Sequence, residues 1–287
     1  MDGILNINKP SGITSTAVVS KVKWILQTKT VGHMGTLDPQ GEGVLLIGVG
    51  KGTKLFDYLL KKDKVYEANF EFGYETDTLD KDGKVVKTCE KIPSLDELNF
   101  NIKSLLGKIQ QLPPNYSAKN INGERAYKLA REGKEVILKP SEIEIFDIKI
   151  IQINKSTFKF IIHSSSGTYI RSICRDIAYL CNSLATMTSI IRLRSGKYLI
   201  ENSINLDELV QIKENAIESL DKALSKLHRY DLRPNHKKQL DNGMTMHISA
   251  LNDTPKTEKF LIYCDNILYG IAIQKDNYFK LKTYLKS

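Results

Sequence analysis

The chain has 287 residues, 41% hydrophobic and 26% charged, which is the composition of an ordinary globular protein and excludes a disordered or fibrous one. Lys and Arg number 42 against 33 Asp and Glu, and the resulting formal charge of +9 favours a polyanionic partner, nucleic acid or an acidic membrane surface. Apolar runs such as Gly43-Val44-Leu45-Leu46-Ile47-Gly48 fall far short of the roughly 20 residues that cross a bilayer, and the N-terminus has no basic stretch leading into an apolar one, so we expect a cytoplasmic protein that does not cross a membrane.

In chain order, Gly3–Ile7 reads as a short strand that ends at Lys9-Pro10, because proline cannot donate to a ladder. Thr14 or Ser15 is placed to cap a helix whose apolar positions Val18, Val19, Val22 and Ile25 recur with helical spacing. From Tyr66 to Phe72 the pattern alternates, with Tyr66, Ala68, Phe70 and Phe72 on one face, as in a half-buried strand. Ser94-Leu95-Asp96-Glu97 has the form of a capping box opening a helix towards Leu106 and Gly107. Residues Ile143–Ile153 and Thr157–Ile162 form an expected strand pair about the Asn154-Lys155-Ser156 turn, and Thr168–Cys181 an expected helix. Two stretches lack periodicity, Gly73–Lys84 and Gln110–Asn122, and long irregular loops inside a compact domain are usually functional or disordered. After a composition shift near residue 230 come three short strand-like runs. The order of elements lacks a regular βαβ rhythm, and an α+β fold around a mixed or antiparallel central sheet fits best. We place one domain at 1–230 and a small C-terminal module at 231–287.

Several chemistries are excluded by spacing. Cys89, Cys174, Cys181 and Cys264 form no CxxC pair, and the five histidines form no HExxH or HxxxH cluster, so neither a disulfide framework nor a zinc site is expected. Gly48-Val49-Gly50-Lys51-Gly52-Thr53 misses the P-loop, since Leu45 stands at its first glycine, and Ser164–Gly167 lacks the frame of a hydrolase elbow.

The densest segment is Val31–Gly43 (VGHMGTLDPQGEG), where four glycines and a proline surround Asp38 and His33 ahead of an apolar strand. Taken alone, Asp38-Pro39 reads as a turn in which the aspartate bonds its own backbone. The segment GHMGTLDPQGEGVL, however, resembles the signature of the TruB family of bacterial tRNA pseudouridine-55 synthases. Further segments match in order: Lys9-Pro10-Ser11-Gly12-Ile13-Thr14-Ser15, Lys64-Val65-Tyr66, Thr76–Gly83 (TDTLDKDG), Pro113–Lys119 (PPNYSAK, one residue shorter than the family pattern) and Gly167-Thr168-Tyr169-Ile170-Arg171. Two positions depart from the pattern. Gly41 replaces the usual alanine, and Ile190-Ile191-Arg192-Leu193 carries one arginine fewer than the family strand. The C-terminal segment is similar, through Leu240-Asp241-Asn242-Gly243 and its closing strands, to the family's small PUA-like module.

The resemblance implies a pseudouridine synthase fold and an isomerase that detaches uracil from ribose at N1 and rejoins it through C5. Such a reaction changes no oxidation state and adds no group, so we expect no cofactor and no metal. It implies Asp38 as the essential carboxylate, nucleophile or base, with Arg171 paired to it. Tyr66 would stack on the target uracil and take the C5 proton, Tyr169 and Ile190 would line the uridine pocket, and Lys9 would brace the catalytic loop. His33 would fill the gap left in the RNA by a flipped uridine. The implied partner is the T-arm of tRNA, recognised by shape, stacking and phosphate contacts, with no obligatory protein partner and a monomeric enzyme. Lys23, Lys29, Lys119, Arg125, Lys128 and Arg131 are candidate phosphate contacts, and residues 110–133 the loop that closes on RNA. The alternative reading is a non-catalytic RNA-binding protein that acts as a tRNA-folding chaperone, which would have no need of Asp38, Tyr66 and Arg171 together.

Overall fold

The computed structural model describes residues 1–60, 62–117, 119–121, 123–126, 129, 132 and 138–286. Of the segments anticipated above, Lys128 and Arg131 lie outside the described residues, as do the side chain of Arg125 and a few other positions of 110–133.

The first half supplies β1 (Gly3–Lys9), α1 (Ser15–Ile25), β2 (Val31–His33), β3 (Glu42–Val49), α2 (Phe56–Leu60), β4 (Lys64–Phe72), β5 (Tyr74–Thr76), β6 (Val85–Thr88), α3 (Leu95–Asn101), β7 (Gly107–Gln111), β8 (Asn120–Ile121) and β9 (Glu124–Arg125). The second half supplies β10 (Ser141–Gln152), β11 (Thr157–Ser164), α4 (Ile170–Leu180), β12 (Ala185–Ser195), β13 (Tyr198–Leu199), α5 (Leu206–Ile212), β14 (Glu218–Ser219), α6 (Leu220–Ala223), β15 (Arg229–Leu232), α7 (Lys237–Asp241), β16 (Met246–His247), β17 (Lys259–Cys264), β18 (Ile267–Lys275) and β19 (Tyr278–Tyr284).

Among the described residues a ten-stranded sheet runs β14-β1-β3-β12-β4-β11-β10-β7, with β2 beside β3 and β13 beside β12. Its pairs are antiparallel except β3 with β12, which is parallel. That junction brings Gly43 opposite Arg192. Gly43 has φ +92°, and a Cβ there would sit 2.4 Å from the Arg192 carbonyl oxygen, so both the conformation and the close approach require glycine. A second sheet, β15-β17-β18-β19-β16, begins with the strand that spans the boundary expected at residue 230.

The apolar run of β3 is buried on both faces, which is why it does not alternate. Leu45 and Ile47 pack with Leu5, Ile7 and the Val18, Val19 and Val22 stripe of α1. Val44 and Leu46 pack with Ile4 and, from the second sheet, Leu261, Tyr263, Leu268 and Ile271. The alternating strand β4 does the opposite. Its buried face joins Phe70 to Phe160 in a stacked pair, ring centroids 4.3 Å apart, beneath Ile173, Cys174 and Ile177 of α4.

Two local expectations are modified. Ser94 does cap α3, accepting from the Glu97 amide, but the Glu97 carboxylate turns to Lys91 at 2.7 Å instead of closing the box, and the helix tightens into a 3₁₀ turn at Ile102–Leu105. The stretch Gly73–Lys84 is not wholly irregular, since Tyr74–Thr76 pairs with β6 and Asp80 bridges to Met187 of β12.

Candidate active site

The Asp38 loop leaves β2 and returns into β3, the edge of the parallel junction, so its two ends are fixed by the sheet. Its middle is fixed from below. The Lys9 side chain is fully buried, and its ammonium donates to the carbonyls of Pro10 and Pro39 at 2.9 Å and of Gly41 at 2.5 Å. Burial pushes the Lys9 amine down to about 8, against the pull of Glu42 and Asp38. Buried Ser15, the first residue of α1, accepts from the Leu37 amide at 2.9 Å and donates to the Leu37 carbonyl at 3.0 Å. The Gly12 amide donates to the Pro39 carbonyl, which ties the Lys9–Ser15 segment to the same loop.

Thus braced, the Asp38 carboxylate remains 40% exposed and meets Arg171 from the first turn of α4, with Oδ2 3.0 Å from Nε. Arg171 itself is buried, at 6% exposure. Its Nη1 donates to the Thr78 carbonyl and lies 3.3 Å from Asp80 Oδ2, and its Nη2 donates to the Tyr116 carbonyl at 3.0 Å. One guanidinium therefore joins four segments distant in sequence, and its planar fork can turn little. Asp80 was not singled out as a site residue from the sequence. It is held by the Thr78 hydroxyl at 2.6 Å and the Asp82 amide at 3.2 Å, and burial pushes its carboxyl up from the ordinary value. The signal for it was its place in the Thr76–Gly83 motif.

Above this pair a cavity of about 340 Å³ is lined by Asp38, Arg171, Tyr66, Tyr169, Ile190 and His33, a size that suits a small organic ligand. The period-two pattern of β4 puts Tyr66 on the face of Ala68 and Phe70, 7% exposed, in register with Arg192 of β12. The Tyr169 backbone is clamped by buried Gln111, which accepts from its amide at 2.8 Å and donates to its carbonyl at 3.1 Å. Burial raises the Tyr169 phenol. His33 ends β2, its Nδ1 buried without a hydrogen-bond partner in the described structure, and burial followed by the nearby Arg192 lowers its pKa, which keeps the imidazole neutral at pH 7. A second cavity of about 650 Å³ shares His33, Asp38, Arg171 and Ile190 and continues along Gln40, Asp82 and Thr188. Asp38, Tyr66, Arg171, His33, Tyr169 and Ile190 therefore line one cavity, and Lys9 lies under its loop.

Arg192, the arginine retained in the Ile190–Leu193 segment, does not face solvent. It is 2% exposed and donates from Nε to the Val44 carbonyl at 2.7 Å. Lys23 and Lys29 are exposed on and just after α1. Among the described residues no group of three or more His, Cys, Asp or Glu is placed to hold a metal ion, and no helix is long and apolar enough to cross a membrane.

Residues 23–170 match the family model of the TruB family pseudouridylate synthase N-terminal domain. The chain is 41% identical over 288 residues to tRNA pseudouridine synthase B of Clostridium novyi (strain NT), covering 99% of this chain and 100% of that protein. It is 40% identical to the protein of that name from Clostridium kluyveri, covering 98% of each. In architecture it is similar to a chain in the solved structure of an H/ACA RNP bound to a substrate RNA containing 2′-deoxyuridine, with a TM-score of 0.72 at 21% identity over 99% of this chain and 85% of that one. It is also similar to a chain of a Cbf5-Nop10-Gar1 complex, with a TM-score of 0.72 at 24% identity over 94% of this chain and 78% of that one. These likenesses carry the fold, a pseudouridine synthase sheet with a smaller PUA-like sheet after it.

Proposed function

This chain belongs to the TruB family of pseudouridylate synthases, and we propose from that premise that it converts uridine 55 in the T-loop of tRNA to pseudouridine. The activity is that of a tRNA pseudouridine synthase, an isomerase. The target position, the T-arm as the bound element and the roles of single residues are our reading.

One observation carries that reading: a half-exposed carboxylate, Asp38, sits at the mouth of a ring-sized cavity with its orientation set by a buried arginine. Isomerisation breaks the N1–C1′ bond, turns the base and joins C5 to C1′. Asp38 acts on the ribose, as nucleophile or as base. Arg171 positions the carboxylate. Tyr66 stacks on the uracil and accepts the C5 proton, while Tyr169 and Ile190 wall the slot in which the base turns. Lys9 holds the loop from beneath. The flipped uridine leaves a gap in the RNA, and neutral His33 supplies a flat ring to fill it. The enzyme works without a protein partner and as a monomer in the cytoplasm.

The test is Asp38→Asn, which keeps shape and removes both nucleophile and base. Pseudouridine mapping on unmodified tRNA should find no product, while tRNA affinity stays within about tenfold, or about 1.4 kcal/mol. Turnover near that of the unaltered enzyme, or product at another position only, would overturn the assignment.

A further inference from the structure

Two buried cations in the cavity have no part in the scheme above. Lys64 and Tyr66 share the buried face of β4, and Ile190 and Arg192 share that of adjacent β12; all four line the cavity. Lys64 is 4% exposed and Arg192 2%. Arg192 donates from Nε to the Val44 carbonyl and from Nη2 to the Gly35 carbonyl, while Nη1 makes no hydrogen bond among the described residues. A Cβ placed on Gly35 would lie 3.5 Å from Arg192 Nη1 and 4.0 Å from Lys64 Cε, so the two side chains converge beneath the loop that carries Asp38. The Lys64 ammonium donates to the carbonyls of Leu60 at 2.9 Å and Lys62 at 2.7 Å, leaving one N–H.

Neither cation is ion-paired among the described residues. Asp38, the carboxylate that lines this cavity, is committed to Arg171, and Asp63, beside Lys64 in the chain, is engaged by Arg194 at 2.8 Å and His163 at 2.7 Å. A buried cation answered only by carbonyl dipoles is costly. Burial, then Arg192, pushes Lys64 down to about 8, and the same two causes lower His33. A cavity of this kind gains when negative charge enters it.

We propose that Lys64 and Arg192 stabilise the negative charge that uracil carries while it is detached from ribose. This rests on the reading of Asp38 as the group that reacts at the ribose. When N1–C1′ breaks, both electrons stay on N1 and the charge spreads to O2 and O4. Asp38 compensates at the sugar, either by forming a C1′–O bond or by taking the C2′ proton. On return C5 gives its electron pair to C1′ and the carboxylate leaves or returns the proton. The C5 proton then goes to a base and N1 regains one, so the product is neutral and nothing is oxidised or reduced. An RNA phosphate is the competing anion. The cations' position on the buried sheet face, beside the Tyr66 ring, favours the base.

The experiment is a single-turnover measurement at saturating enzyme, on tRNA carrying either uridine or 5-fluorouridine at the target, followed for both as formation of the C5–C1′ bond because 5-fluorouracil has no C5 proton to release. Fluorine withdraws electrons and steadies the detached base by itself, so it should reduce the need for the cations. Lys64→Met should slow rearrangement of uridine by about 10²-fold, the loss typical of one preorganised donor. Rearrangement of 5-fluorouridine should fall by about tenfold or less, tRNA affinity should change little, and Lys64→Arg should recover much of the rate. Lys64→Gln, which keeps a donor without the charge, carries the same comparison if the methionine variant fails to fold. Equal slowing of both bases would show a structural role and overturn the inference. So would an unchanged saturated rate with weaker binding and a log–log salt slope reduced by about one, the mark of a phosphate contact. Asp38→Asn is the control: if it retains activity the whole reading of the site fails, whereas an inactive Asp38→Asn with base-independent losses at Lys64 sinks only this inference.

Discussion

Lys9 and Lys64 are both pushed from 10.5 to about 8, in each case first by burial. Glu42 and Asp38 draw Lys9 back up while Arg192 pushes it down; for Lys64, Arg192 pushes down and Asp63 draws up. As pH rises through 8 the native protein loses these protons, and the Asp38 loop and the cavity lose their supporting charges. We predict that kcat/KM falls with an apparent pKa near 8. Stability should move the other way. The unfolded chain keeps both protons until about 10.5, so between the two values it binds more protons than the native state, and these groups add stability as pH rises; below 8 their contribution is constant. Activity lost while the melting temperature holds or rises is the expected pattern. Lys64→Arg, which stays charged, should move its share of the fall to higher pH. A melting temperature that drops in step with activity through pH 8 would instead mean that the protein is unfolding. Burial of these groups was not legible in the sequence, where a lysine opening a strand reads as a solvated end, nor was the second carboxylate on Arg171, which the chain brings from Asp80, 91 positions away in sequence.

The loop between β2 and β3 gives a test at the level of elements, because two of its glycines differ sharply in what surrounds them. At Gly43 an added Cβ would meet the Arg192 carbonyl oxygen at 2.4 Å, with φ at +92°. Gly43→Ala should therefore part β3 from β12 and cost about 3 kcal/mol or more in denaturant unfolding. At Gly41 the nearest atoms would be the Asp38 carbonyl oxygen at 3.3 Å and side-chain carbons of Ile190 and Leu37 at 3.5 Å. Gly41→Ala should change stability by less than about 1 kcal/mol and leave activity intact. A severe loss from Gly41→Ala, or a mild one from Gly43→Ala, would contradict the packing at this junction. Strands with a face to alternate, such as β4 and β11, were legible in the sequence, as was α1, although the sequence left its cap open between Thr14, which the structure uses, and Ser15. The parallel pairing of β3 with β12 was not, since its partners lie far apart and no local pattern encodes it. Strands of two or three residues, such as β2, β13 and β14, are too short to show a period. The cap of α5, a complete box between Asn205 and Glu208, was present as a pattern but not picked out.

At the scale of the molecule, the two sheets share apolar contacts. Leu261, Tyr263, Leu268, Ile271 and Leu285 of the C-terminal part pack in one cluster with Ile4, Val44, Leu46, Leu55 and Leu59. Polar links run beside it, from the Lys54 ammonium to the Tyr284 carbonyl at 2.9 Å and from the Tyr263 hydroxyl to Asp221. Val44 and Leu46 belong to the strand that continues the Asp38 loop, so the second sheet covers the back of the element that positions the reacting carboxylate. A module joined only by a linker would melt by itself. Here the shared cluster should make unfolding a single event, with calorimetric and van't Hoff enthalpies equal. Leu261→Ala should lower the stability of the whole chain by about 2–5 kcal/mol without splitting the transition, and far- and near-ultraviolet signals should fall together. Two resolved transitions, with the C-terminal one alone moved by Leu261→Ala, would show that the sheets fold separately and that the back of β3 needs no cover.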